Sequence, residues 1–254
     1  MNKRQEAIVE YLKKNKTIKN SYIAKKFNVS SETARKDLEL LEESGIAKKI
    51  YGGAYYNQKF VNETDYLHRQ NLNRVEKRKI AKKAIEFVSE NQIIGLDVST
   101  TNTQIAAELP HHFKNLTVVT NSVIIAVELS KRSCFQIVMP GGLIKNDELC
   151  FVGEFSADYL KQFHIDVFFM SFSGISLING FTDYGFGEAS LKKQMIKNSS
   201  IIYGVGDFSK FDSTSLLSIC PLHQVSAVIT DDQLSPVTAY NYEKCGVPIF
   251  IGER

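Results

Sequence analysis

The chain has 254 residues, 43% of them hydrophobic and 23% charged, an ordinary globular composition that excludes a disordered or fibrous protein and leaves room for two domains. Its apolar runs, such as Val167 to Met170, fall far short of the roughly 20 residues of a bilayer span, and the charged, helix-patterned start has no secretory core, so a cytoplasmic protein without a membrane partner is expected. The net charge is only +3, but residues 1–56 carry 12 Lys+Arg against 7 Asp+Glu and the remainder 19 against 21, which points to a polyanionic partner for the basic head.

Within the head, Ala7, Ile8, Tyr11 and Leu12 recur at helical spacing. Asn20 or Ser21 can cap a second helix that buries Ile23, Ala24 and Phe27. A turn at Asn28-Val29 leads to Ser30, the N-cap candidate of a third helix ended by Gly45. Ala34, Leu38 and Leu41 form its apolar stripe, with Glu32, Arg35, Lys36 and Glu39 pointing away. Two extended runs, Ile46 to Ile50 and Ala54 to Tyr56, meet at Gly52-Gly53, a link that tolerates positive φ and suits a hairpin. A helix-turn-helix followed by a basic hairpin is a winged helix. Its third helix enters the major groove of double-stranded operator DNA, and Lys48 and Lys49 on the wing meet phosphates.

Residues 57–75 are polar and aperiodic and are expected to be a spacer that turns helical before Glu76. Ile80, Ala84, Phe87 and Val88 supply the apolar face of the next helix. Short apolar runs then alternate with helical patterns. Strands are expected at Ile93 to Val98, Leu116 to Thr120, Phe135 to Met139, Val167 to Phe172, Ile201 to Val205, Val225 to Thr230 and Val247 to Ile251. Helices are expected at Asn102 to Leu109, Val123 to Leu129 and Ala189 to Ile196, while His111 and His112 follow Pro110 in a surface loop. The fold class is therefore α/β: a winged helix-turn-helix over 1–56, then a mostly parallel sheet covered on both faces over 76–254.

Such a sheet binds ligands beyond the carboxyl ends of its strands. Those ends are polar or small: Asp97-Val98-Ser99-Thr100-Thr101 before a helix, Thr120-Asn121-Ser122, Gly141-Gly142, and Gly206-Asp207-Phe208-Ser209-Lys210-Phe211. Hydroxyls and backbone N–H groups at a helix N-terminus make a phosphate seat. Cys134, Cys150, Cys220 and Cys245 are scattered without metal-ligand spacing, so neither a disulfide framework nor a metal or cofactor is indicated.

The run Val29-Ser30-Ser31-Glu32-Thr33-Ala34-Arg35-Lys36-Asp37-Leu38, with Leu41, Gly45 and Tyr51-Gly52-Gly53-Ala54, resembles the DNA-binding signature of DeoR-family bacterial transcriptional regulators. Lys36 stands where a second Arg is usual. The body motifs resemble the same family's effector domain, similar in fold to ribose-5-phosphate isomerase, with Ser99 where Gly is usual. The resemblance implies that Ser31, Thr33, Arg35, Lys36, Lys48 and Lys49 face DNA. It also implies that Ser99, Thr100 and Thr101 hold the phosphate of a sugar and that Asp97 and Asn121 bond its hydroxyls. Thr120, Gly141 and Gly142 would line the site, Lys210 would meet an anionic or carbonyl oxygen, and Glu188 and Asp207 would stand nearby. Asp37 would orient Arg35, cap a neighbour or brace the wing, and Asp183 would be either a further ligand contact or a turn former after Gly180. The implied protein is a dimeric or tetrameric repressor of a carbohydrate operon. The alternative is an isomerase with an appended DNA-binding domain, in which Glu188, Asp207 and Lys210 move the proton and stabilise the enediolate.

Overall fold

A computed structural model describes residues 3–43, 46–50, 52–56, 66–131 and 134–253. The chain divides into two units, Met1–Asp65 and Tyr66–Arg254.

In the first unit, α1 (Lys3–Asn15), α2 (Asn20–Phe27) and α3 (Ser31–Glu43) pack Ile8, Leu12, Ile23, Ala34, Leu38 and Leu41 into one core. Ser30 caps α3: its Oγ accepts from the Thr33 N–H at 3.0 Å. Neither Asn20 nor Ser21 caps α2, which already begins at Asn20; Asn28 instead ends it in the left-handed conformation, φ 49°. The expected stop at Gly45 lies outside the described residues, as does Tyr51. β2 (Ala47–Ile50) and β3 (Gly53–Tyr56) form the hairpin, and a strand not foreseen, β1 (Thr17–Lys19), pairs with the free edge of β3. The two glycines of the link therefore serve different ends. Gly52 takes the positive φ of +79°, whereas Gly53 is already in β3, where a Cβ would sit 2.1 Å from the Ile18 carbonyl oxygen. Asp37 braces α1 rather than Arg35: it accepts from Arg4 Nε at 2.6 Å and from Gln5 Nε2 at 3.2 Å.

The second unit starts earlier than the expected spacer allows. α4 (Tyr66–Asn71) precedes α5 (Arg74–Ile85), and Tyr66 is 1% exposed with its hydroxyl 2.6 Å from Thr103 Oγ1. Burial of that ring fixes α4 against α6. Seven strands follow in one parallel sheet: β4 (Ile93–Leu96), β5 (Thr117–Thr120), β6 (Gln136–Val138), β9 (Ile165–Ser171), β12 (Ser199–Val205), β14 (Ala227–Asp231) and β15 (Ile249–Gly252). Their spatial order is β15-β14-β12-β9-β4-β5-β6. Alternation along β9 feeds two cores. Val167 and Phe169 face α5, α6 (Thr100–His112) and α7 (Val123–Ser130), while Phe168 and Met170 face α8 (Glu154–Leu160), α9 (Phe186–Asn198) and α10 (Pro236–Lys244). Each such buried aromatic or aliphatic side chain contributes about 1.5–3 kcal/mol. α6 runs through Pro110 to His112, so His111 and His112 close a helix rather than occupy a loop.

Elements that no apolar run announced complete the unit. β7 (Leu143–Lys145) and β8 (Cys150–Val152) form a hairpin, and β10 (Gly174–Ser176), β11 (Gly180–Asp183) and β13 (Leu217–Cys220) a small antiparallel sheet. From β4 the chain builds outward through β5 and β6, then returns to the other side of β4 as β9. The switch point thus lies between the carboxyl ends of β4 and β9, where open α/β sheets bind ligands.

Candidate functional site

On the head, Arg35 and Lys36 project from α3 and are exposed, as are Ser31 on its first turn and Lys48 on β2. Arg35 forms solvent-accessible pairs, 3.3 Å to Glu32 and 3.8 Å to Glu39, and such pairs are weak enough to exchange for phosphate. Thr33 is half-buried, its hydroxyl 2.9 Å from Ser30 Oγ. Lys49 ties the wing to α3: its N–H donates to Glu42 at 2.8 Å and its ammonium to Glu39 at 2.8 Å, which holds the Glu39 carboxyl below its usual range.

At the switch point, Asp97 is 3% exposed and fully engaged. It accepts from Asn102 Nδ2 at 2.6 Å, the Ser171 N–H at 2.9 Å, Ser171 Oγ at 2.7 Å and Lys192 Nζ at 2.9 Å. Lys192, reaching in from α9, also donates to Asp183 and to the Ser171 carbonyl. The lysine thereby joins the ends of β4, β9 and β11. Burial opposes its charge, but the pull of Asp183 and Asp97 prevails and raises its pKa; burial likewise opposes the Asp183 anion, and Lys192 overcomes it, holding that carboxyl low. Asp183 is thus an ion-pair partner, not merely a turn former.

Ser99 caps α6, its Oγ accepting from the Asn102 N–H at 2.9 Å, and its φ of −168° is extended backbone that suits a side chain as well as it would glycine. Thr100 and Thr101 occupy the next two positions, 4% and 6% exposed, and their hydroxyls have no hydrogen-bond partner among the described residues. Thr120 and Asn121 are engaged: Thr120 Oγ1 accepts from the Ser122 N–H, and Asn121 bridges the Val98 N–H and the Phe151 carbonyl. Gly141 and Gly142 are exposed. Gly142 needs its glycine for a φ of +141° and for Ser156 Oγ, 2.5 Å from where a Cβ would lie.

Glu188 pairs with Lys145 at 2.9 Å, and burial pushes its carboxyl up despite that partner. Asp207, 2% exposed, accepts from Asn73 Nδ2 at 3.1 Å and from the Ser209 N–H. The half-buried Lys210 ammonium has no partner among the described residues. The strand-end motifs therefore sort into internally satisfied groups (Asp97, Asn121, Thr120, Ser99) and groups with open donors (Thr100, Thr101, Lys210).

Motif reading missed Lys192, Ser171 and Asn102, and also Arg69, Glu148 and Tyr184 beside them. One signal for Lys192 was available: it falls between Leu191 and Met195 on the apolar stripe of α9, where a charge requires a buried partner.

Residues 4–60 match the DeoR-like helix-turn-helix domain and residues 72–232 the DeoR C terminal sensor domain. The chain belongs to the DeoR family of transcriptional regulators rather than to an enzyme family. It is 33% identical over 253 residues to the HTH-type transcriptional regulator GolR of Listeria innocua, covering 98% of each chain. It is 29% identical over 228 residues to the glycerol-3-phosphate regulon repressor of Escherichia coli, covering 90% of each. Ribose 5-phosphate isomerase A from Neisseria gonorrhoeae overlaps 54% of this chain and 53% of its own at 21% identity, TM-score 0.41. No helix among the described residues is long and apolar enough to cross a membrane.

Proposed function

We propose that this regulator represses a carbohydrate-utilisation operon from the cytoplasm, as a dimer or tetramer, and that a phosphorylated sugar at the β4–β9 switch point changes its affinity for operator DNA. The observation that carries the effector reading is the first turn of α6. There, two buried threonines whose hydroxyls have no partner among the described residues sit at a helix N-terminus, on the strand edge that also bears Lys210, likewise without a partner among them. Thr100, Thr101 and Lys210 hold the anionic end of the ligand. Asp97, Asn121 and Lys192 fix the loops around it, with Glu188 and Asp207 near the sugar. On the head, Arg35 reads a base edge or clamps a phosphate, while Ser31, Thr33, Lys36, Lys48 and Lys49 meet the backbone. The glycerol-3-phosphate regulon repressor among the relatives supports an effector of this chemical class.

A thermal-shift screen of phosphosugars against their unphosphorylated counterparts tests this. A ligand that binds only the folded state raises the midpoint with concentration, by RT ln(1 + [L]/Kd) in free energy. The expected result is a rise with a phosphorylated sugar only. A response indifferent to the phosphate removes the proposed seat.

A further inference from the structure

The first element of the second unit, α4, is the one nearest the head in sequence, and with the turn after it α4 touches the segments assigned to the effector. Tyr66 donates its O–H to Thr103 Oγ1, because that oxygen is itself the donor to the Ser99 carbonyl at 2.9 Å. Asn73 reaches Asp207. Arg69 forms an ion pair with Glu148 in the β7–β8 loop, and its guanidinium carbon lies 5.5 Å from the centre of the Tyr184 ring. Tyr184 donates its hydroxyl to the second oxygen of Glu148 at 2.6 Å. Lys77 holds the Arg69 carbonyl at 2.7 Å, which fixes the backbone from which this side chain projects.

Arg69 has capacity left over. Its Nε is buried and has no hydrogen-bond partner among the described residues, which is costly for a charged donor and is relieved by an added acceptor. A guanidinium fork fits phosphate oxygens in pairs, as a lysine cannot. Glu148, 2% exposed at its side chain, would not be stranded by an exchange, since Tyr184 still donates to it and the Lys145 ammonium lies within its field.

We propose that Arg69 is an effector-contact residue that exchanges Glu148 for the phosphate of the ligand, and that this exchange at α4 couples occupancy of the site to the DNA-binding head. The proposal rests on the phosphosugar reading above. A ligand shifts an equilibrium only through contacts that differ between the two states, and the Arg69 partner is such a difference.

The test uses the full chain, calorimetric titration with glucose 6-phosphate, fructose 1-phosphate, ribose 5-phosphate and glycerol 3-phosphate, and fluorescence anisotropy on DNA from upstream of its own coding region. Arg69→Gln is expected to weaken the phosphosugar that binds wild type by roughly 10–150-fold, the worth of one charge-assisted bond. It should also narrow discrimination against the unphosphorylated sugar and abolish ligand-induced DNA release. Glu148→Gln, which frees the guanidinium, is expected to tighten binding severalfold, and it carries the test if Arg69→Gln does not fold. Wild-type binding and release in Arg69→Gln, or unchanged affinity in Glu148→Gln, overturns the role of Arg69 alone. A wild-type chain that binds no phosphorylated member of the panel overturns the phosphosugar reading and this proposal with it.

Discussion

Lys192 carries its charge at 3% side-chain exposure because two carboxylates and a backbone carbonyl meet it there. Removing one member of such a group leaves the others buried and uncompensated, which costs about 3–5 kcal/mol. Lys192→Met is therefore expected to lower stability at neutral pH by that amount, measured by urea denaturation. Lys77 behaves in the opposite sense. Burial pushes its ammonium down to about 8 from 10.5, against the favourable charge of Asp207, so the folded chain releases the proton first as pH rises. The unfolded chain then binds more protons between those two values, and stability gains with pH across that window. Relative to Lys77→Met, wild type should become more stable by about 3 kcal/mol from pH 8 to 10.5 in denaturant melts, a difference that cancels the opposing titrations of other groups. Sequence offers only the place of Lys192 on the apolar stripe of α9; carboxylates that decide either behaviour, such as Asp97 and Asp207, lie far off along the chain.

α6 shows how one helix is both scaffold and seat. Its cap, the Ser99 oxygen on the Asn102 N–H, satisfies one orphan donor and leaves the first-turn threonines for a ligand. Ser99→Ala should cost about 1 kcal/mol and Ser99→Gly a few tenths, read from chemical denaturation. The helices and parallel strands with strong periodicity were legible: the third helix with its Ala34, Leu38 and Leu41 stripe, and the seven strands of the main sheet as apolar runs. β1, the β7–β8 hairpin, α4, α8, α10 and the small antiparallel sheet were not. All but α10 are three to seven residues long, too short for a period to register, and they are held by tertiary contacts such as Ile18 against Gly53 and Tyr66 against Thr103.

A sensor and a reader on one chain can be separated by mutation if each binds its own ligand. Arg35→Ala is expected to abolish specific operator binding while the phosphosugar thermal shift persists. Thr100→Ala and Lys210→Ala should leave operator affinity intact but blunt its response to the effector, normally about 5–150-fold for a coupling of about 1–3 kcal/mol. Anisotropy titrations at fixed salt read both, because a head with a net charge of +5 binds DNA in a strongly salt-dependent way.

Periodicity, caps and charge distribution are local quantities, and from them follow the basic winged head, the α/β body and the polar strand ends where a ligand is expected. Those patterns could not say which polar groups remain open. The family resemblance implied that Asp97 and Asn121 bond sugar hydroxyls, yet folding brings Lys192, Ser171, Val98 and Phe151 to them and satisfies them. Arg69, in a stretch that reads as a spacer, becomes part of the strand-end cluster for the same reason: a buried polar atom must find partners, and those partners are distant in sequence and adjacent only in space.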